Sequence, residues 1–202
     1  MISINVAAPR LLYIDNYAFE DTGWGWFSLL PLSSETVLFL RIINLCTEGS
    51  TGGYPTRHMI FYDCQVIEAS LYDVVNRFHH LETLVFFETE VDDLASVLIA
   101  LPPSLRHVHI LEYNFNVAEG RPNAPRVLPH LESFTFTSFP SPGKARRILP
   151  GDDGPKRVPL AKVQQAVESS IVAPKCTFKF LHSPRSPEDA LADALAALKL
   201  DP

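Results

Sequence analysis

The sequence predicts an α/β solenoid, with a curved parallel sheet, helices and loops on the convex side, and a C-terminal helix capping the stack. Three observations predict it. A strand-length phrase returns, since Leu81-Glu82-Thr83-Leu84-Val85-Phe86, Leu105-Arg106-His107-Val108-His109-Ile110 and Leu131-Glu132-Ser133-Phe134-Thr135-Phe136 all read L-x-x-φ-x-φ, with φ apolar. The copies start 24 and 26 residues apart (105−81 and 131−105), a period long enough for one strand and one return limb. Between copies the apolar spacing turns helical, as in Val91, Leu94, Ala95, Leu98 and Leu101. A unit of this kind cannot bury its apolar side alone and must stack on its neighbours.

Along the chain, further copies precede the clear ones. Leu11-x-x-Ile14-x-Asn16-x-x-Phe19, Val37-x-x-Leu40-x-Ile42-x-x-Leu45 and Thr56-x-x-Met59-x-Phe61-x-x-Cys64 fit a longer template whose ninth position holds Thr89, Tyr113 and Phe139 in the clear copies. The leading positions become 11, 37, 56, 81, 105 and 131, with gaps of 26, 19, 25, 24 and 26. This is the spacing of a leucine-rich repeat array. Ile67, Leu71, Val74, Val75 and Phe78 predict one helix. Val91 to Leu101 predicts another, with Asp92 and Asp93 near its start, where the helix dipole favours acids, and Pro102-Pro103 stopping it. Gly49 to Gly53 and residues 114–128 read as loops.

Beyond Pro140 the character changes. Residues 1–139 form the repeat array, 140–158 a proline-rich linker or insertion, and 159–202 a terminal repeat with its cap. Val158 to Val172 is expected to be helical, and Cys176-Thr177-Phe178-Lys179-Phe180-Leu181 to add a seventh strand. Ser186-Pro187-Glu188-Asp189 is a helix start: an N-cap serine, proline at the first position and acids in the first turn. Leu191, Ala194, Leu195 and Leu198 give that helix an apolar face suited to covering the exposed end of the stack.

Composition bounds the function. A net charge of −6 lacks the positive footprint that nucleic acid requires, so none is expected as partner. No apolar run reaches 18 residues, and the first dozen residues lack a basic stretch followed by a long apolar one. Neither a membrane span nor a leader is expected. Cys46, Cys64 and Cys176 are odd in number and widely spaced, which fits reduced thiols and a cytoplasmic or nuclear chain. The basic pairs around Arg146 and Arg157 could serve as a bipartite nuclear signal, but a solvated linker is the simpler reading. Neither Gly49-Ser50-Thr51-Gly52-Gly53 nor Gly151-Asp152-Asp153-Gly154 completes a phosphate loop or a calcium loop. No nucleophile elbow is present, and no catalytic residue or cofactor is expected.

The phrases Ala8-Pro9-Arg10-Leu11, Phe78-His79-His80-Leu81-Glu82-Thr83-Leu84, Leu101-Pro102-Pro103-Ser104-Leu105-Arg106-His107-Val108 and Leu128-Pro129-His130-Leu131-Glu132-Ser133-Phe134 resemble the degenerate repeats of fungal F-box-like proteins. Phe86-x-x-Thr89-x-Val91-Asp92-Asp93-Leu94 resembles the cysteine-containing repeat class, with Thr89 where that class often has Cys. The resemblance spans Leu11 to Phe139. It implies substrate recognition for ubiquitin ligation, with ligase components as partners. An F-box would precede the repeats as a helical segment, whereas here the first repeat starts at Leu11, so a fragment of a larger repeat protein is the alternative.

In each copy the first, fourth and sixth positions point inward. Strand side chains alternate, so the third and fifth point out onto the sheet face. A protein partner is therefore expected on Phe39, Arg41, Tyr62, Val85, Phe87, His107 and His109, an apolar and aromatic surface. The competing expectation is that the C-terminal segment folds over this face. His107 and His109 point to the same side, which raises a second alternative, a metal-binding protein or an enzyme using this pair with Asp15 or Arg41. Thr83, Val85, Ser133 and Thr135 beside them are poor ligands, so no metal site is expected. Glu82, Arg106 and Glu132 share one template position and can form a charge ladder across adjacent strands.

Overall fold

The computed structural model of the chain describes residues 11–15, 32–41, 53–62, 65–66, 77–87, 89–91, 94–112, 124–139, 159–183 and 186–197. In chain order its elements are β1 (Leu11–Asp15), β2 (Val37–Arg41), β3 (His58–Tyr62), β4 (Gln65–Val66), β5 (Thr83–Phe87), β6 (Glu90–Val91), α1 (Leu94–Ala100), β7 (His107–Glu112), β8 (Arg126–Val127), β9 (Ser133–Ser138), α2 (Leu160–Ser170), β10 (Ile171–Val172), β11 (Thr177–His182) and α3 (Pro187–Ala197). The fold is α/β. Seven strands form one sheet in the order β1-β2-β3-β5-β7-β9-β11, every neighbouring pair parallel. Two short parallel ladders, β4 with β6 and β8 with β10, stand apart from it.

Strand order follows chain order because each return limb brings the backbone back to start the next strand beside the last. The residues Leu11, Val37, His58, Thr83, His107, Ser133 and Thr177 stand side by side, separated along the chain by 26, 21, 25, 24, 26 and 44 residues. The phrases beginning at Thr56, Leu81, Leu105 and Leu131 keep their expected frame, with His58, Thr83, His107 and Ser133 in the third position. The first two copies do not. Leu11 and Val37 occupy the third position and not the first, so both lie on the outward row. Leu11 is 54% exposed on the edge strand.

The reason is the turn before each strand. The Leu81 N–H donates to Phe78 O (3.0 Å), Leu105 to Pro102 O (3.3 Å) and Leu131 to Leu128 O (3.3 Å), and one residue then intervenes before the third-position row. Before β2, Thr36 donates to Ser33 O (3.2 Å), and before β11, Cys176 donates to Ala173 O (3.1 Å), with no residue intervening. A polar Thr36 in the leading place hid the true start of β2. The frame shift is an even number of residues, so Tyr13 and Phe39 keep their outward face.

The inward positions form the main core. Leu84, Phe86, Val108, Ile110, Phe134 and Phe136 share it, as alternation requires, together with Leu38, Leu40, Met59 and Phe61 from the neighbouring strands. Phe61 and Phe86 stack with ring centroids 5.6 Å apart. Leu94, Val97 and Leu98 of α1 and Val163 and Val167 of α2 close this side of the sheet, and the two helices pack on each other. Thr89, fully buried, donates its hydroxyl hydrogen to the carbonyls of Phe61 and Phe87 (3.2 Å each), holding the ends of β3 and β5 together.

Two helices are shorter than their apolar pattern. α1 runs from Leu94 to Ala100, and Asp92 and Asp93 lie outside the described residues. α2 stops at Ser170, and the β-branched pair Ile171-Val172 leaves the helix to pair with Arg126-Val127. The helix expected over Ile67 to Phe78 and the linker 140–158 lie outside the described residues, apart from Arg77 and Phe78.

α3 forms where Ser186-Pro187-Glu188-Asp189 predicts it, and the Asp189 N–H donates to Ser186 Oγ (3.2 Å). It packs Leu191 and Leu195 on the repeat array as expected of a cover, but on the outward face of the sheet, next to β7, rather than at the expected end of the stack. Ala190, Leu191 and Leu195 pack there on a second apolar cluster of Val37, Ile60, Val85, Phe87, Leu111 and Phe139. Leu198 lies outside the described residues.

Candidate functional site

The candidate site is the sheet face opposite α1 and α2. Register fixes its rows. The third-position row carries Val37, His58, Thr83, His107 and Ser133; two residues on stand Phe39, Ile60, Val85, His109, Thr135 and Lys179; two further on stand Tyr62, Phe87, Leu111, Thr137 and Leu181. The apolar side chains concentrate on β2, β3 and β5. The polar ones gather along the third-position row and on β9 and β11.

The structure brings six of the seven expected partner-binding residues onto this face and describes their side chains. Phe39, Tyr62, His107 and His109 are partly exposed. Val85 is 0% and Phe87 3% exposed, because the apolar cluster packs against α3. For these two the expectation of an open surface is corrected, and the competing expectation holds over the middle of the sheet. Arg41 ends β2, and its side chain lies outside the described residues. The rings of Tyr62 and Phe87 stack with centroids 5.2 Å apart and planes 15° apart.

Burial sets the electrostatics. It lowers the pKa of His58, His107 and His109, and for His109 the nearby His107 and Lys179 add to the effect and bring it to about 4. His109 is therefore a neutral imidazole at pH 7, able to donate from one nitrogen and accept at the other. His107 Nδ1 shares a hydrogen bond with Ser133 Oγ at 2.9 Å. His58 Nδ1 and Thr83 Oγ1, on paired residues of β3 and β5, are buried and reach no hydrogen-bond partner. Among the described residues, no three His, Cys, Asp or Glu side chains converge to hold a metal ion. The Cys176 thiol is pushed up to about 11 by burial and is protonated at neutral pH.

The charge ladder forms at the edge of this face and is longer than expected. Arg57 meets Glu82 at 3.6 Å, Glu82 meets Arg106 at 4.0 Å, and Arg106 meets Glu132 at 2.6 Å. Backbone bonds follow the same path, from Glu82 N to Arg57 O, Arg106 N to Glu82 O and Glu132 N to Arg106 O, each 2.8 Å. The ladder lines a groove of about 450 Å³ together with His79, His80, Ser104, Pro129, His130 and Lys175. His79 and His80 lie in an exposed turn, as do Pro129 and His130. His80, Ser104 and His130 each stand one place before the leading leucine, so stacking sets them in a row. The arginines here are paired with glutamates, which makes this groove a register device first.

No described helix is long and apolar enough to cross a membrane. Comparison of the chain with protein-family models, with curated protein sequences and with solved structures gave no match.

Proposed function

We propose that the chain is a leucine-rich-repeat-like solenoid that acts as a non-catalytic protein-interaction module. The observation that carries this reading is the second apolar cluster. Val37, Ile60, Val85, Phe87 and Leu111 come from four neighbouring strands on the side of the sheet away from the main core, with Phe39 and Tyr62 partly exposed at its margin. A sheet that is apolar on both faces has one face for folding and one for something else to cover, and aromatic side chains at such a margin suit binding hot spots. The neutral histidines beside the cluster can pair with polar groups of a partner at little desolvation cost. The resemblance to fungal F-box-like proteins implies a substrate for ubiquitin ligation as the partner, and the reduced thiols imply the cytoplasm or nucleus as the compartment.

Site-specific photo-cross-linking tests this. A benzophenone side chain at Phe39 or His107 should capture a protein partner in cells. The same group at Val127 or Val172, which are 58% and 46% exposed and lie off the main sheet on β8 and β10, should capture none. Adducts from Val127 and Val172 alone would move the interface away from the proposed face and end this reading.

A further inference from the structure

We propose that the sheet face beneath α3 is a docking site for an amphipathic helix of a partner protein, and that α3 is the resident occupant such a helix displaces. This rests on the protein-interaction reading above and names the kind of partner.

The first observation is that a helix already fits. Ala190, Leu191 and Leu195 of α3 lie on the apolar cluster, and Ala194 is buried beside them. An apolar stripe at positions i, i+1, i+4 and i+5 laid across a hydrophobic floor is helix-in-groove recognition performed within one chain. The second is that the fit is thin. Two of the four residues of this stripe are alanines, while the floor offers Ile60, Val85, Phe87 and Leu111. Leu191 and Leu195 stay partly exposed. An 11-residue helix is too short to persist in water by itself, so α3 holds its form only while docked.

The third observation is that α3 can leave without opening the main core, which contains none of its residues. It is joined to β11 through residues 183–186, and β7 stands two strands from β11, roughly 10 Å away. A short tether of this kind keeps the helix at high effective concentration over its site, so an incoming helix must out-compete it. The fourth is a polar flaw on the same face. His58 Nδ1 and Thr83 Oγ1, on paired residues of β3 and β5, are buried and reach no hydrogen-bond partner, and a buried polar atom left unpaired is costly. The favoured ligand is therefore a helix with larger apolar side chains where α3 has alanines, and one hydrogen-bonding side chain reaching toward β3 and β5.

The test uses the full chain carrying Leu191→Glu and Leu195→Glu, with a labelled synthetic peptide of residues 186–199 as probe, titrated into the millimolar range. The released chain should bind the peptide saturably, and the unmodified chain should bind it roughly tenfold more weakly because its own helix competes. Equal binding to both chains would overturn the proposal. So would no binding to a double variant that still unfolds cooperatively in urea. Should the variant fail to fold, amide exchange of the unmodified chain decides. α3 amides should exchange at least roughly tenfold faster than those of β5 and β7, reporting a local opening, and equal protection would overturn the proposal. Loss of peptide binding with cross-links at Phe39 and His107 intact removes the helix ligand and leaves the interaction reading. Peptide binding without those cross-links does the reverse.

Discussion

Acidification from pH 7 to pH 4 probes the covered sheet face through a single side chain. His109 stands in the middle of β7, and burial, reinforced by His107 and Lys179, brings its pKa from 6.5 to about 4. The folded chain therefore resists a proton that the unfolded chain accepts. The sign follows: stability is full above the unfolded value of 6.5 and is lost as the pH falls toward the folded value of about 4. The displacement corresponds to roughly 3 kcal/mol, nearly all of it lost by pH 4. Burial lowers His58 and His107 in the same direction, so their losses add to it. Urea unfolding of the natural chain and of His109→Gln at both pH values isolates the term, since the carboxylates titrate alike in each. The natural chain should lose roughly 3 kcal/mol more than the variant over this range. Parallel losses would show that His109 is hydrated in the folded chain and that burial does not lower its pKa.

Three further outcomes follow from the packing. Leu84→Ala empties a fully buried position of the main core and should cost about 2–5 kcal/mol in urea unfolding; a smaller loss would place Leu84 outside the core. Thr89→Val keeps the shape and deletes the hydroxyl that reaches Phe61 O and Phe87 O, so it should cost about 1–3 kcal/mol, and a neutral result would mean that those contacts do not form. Arg106→Gln breaks the middle of an exposed charge ladder and should lower the urea midpoint at low ionic strength only; an effect that survives about 1 M salt would show the ladder to be buried.

Much of the fold was legible in local pattern. The repeated phrase located β5, β7 and β9 and named the six residues that meet in the core, because alternation fixes a face wherever one side is strongly apolar. The frame of β1 and β2 was not legible. The turn before β2 is one residue shorter, and Thr36 stands where the other copies have leucine. The last helix shows the other limit. Ser186 to Asp189 announce its start through local hydrogen bonding and dipole chemistry, but its docking surface depends on residues as distant in sequence as Val37. An apolar stripe on a helix says that it must be covered, not by what. The same holds for the candidate site, whose residues alternation aimed correctly at one face while leaving open whether water or α3 would meet them.

The division of the sheet into a permanent core and a covered interaction face is the central claim, and two adjacent phenylalanines test it. Phe86 is fully buried in the main core against Phe61, whereas Phe87 is buried on the other side against Tyr62 and the α3 cluster. Phe86→Ala should cost about 3–5 kcal/mol of global stability in urea unfolding. Phe87→Ala should cost clearly less, because its loss is bounded by what α3 docking and one ring stack contribute once the helix can leave a folded sheet. An equal cost, or the reverse order, would contradict the account.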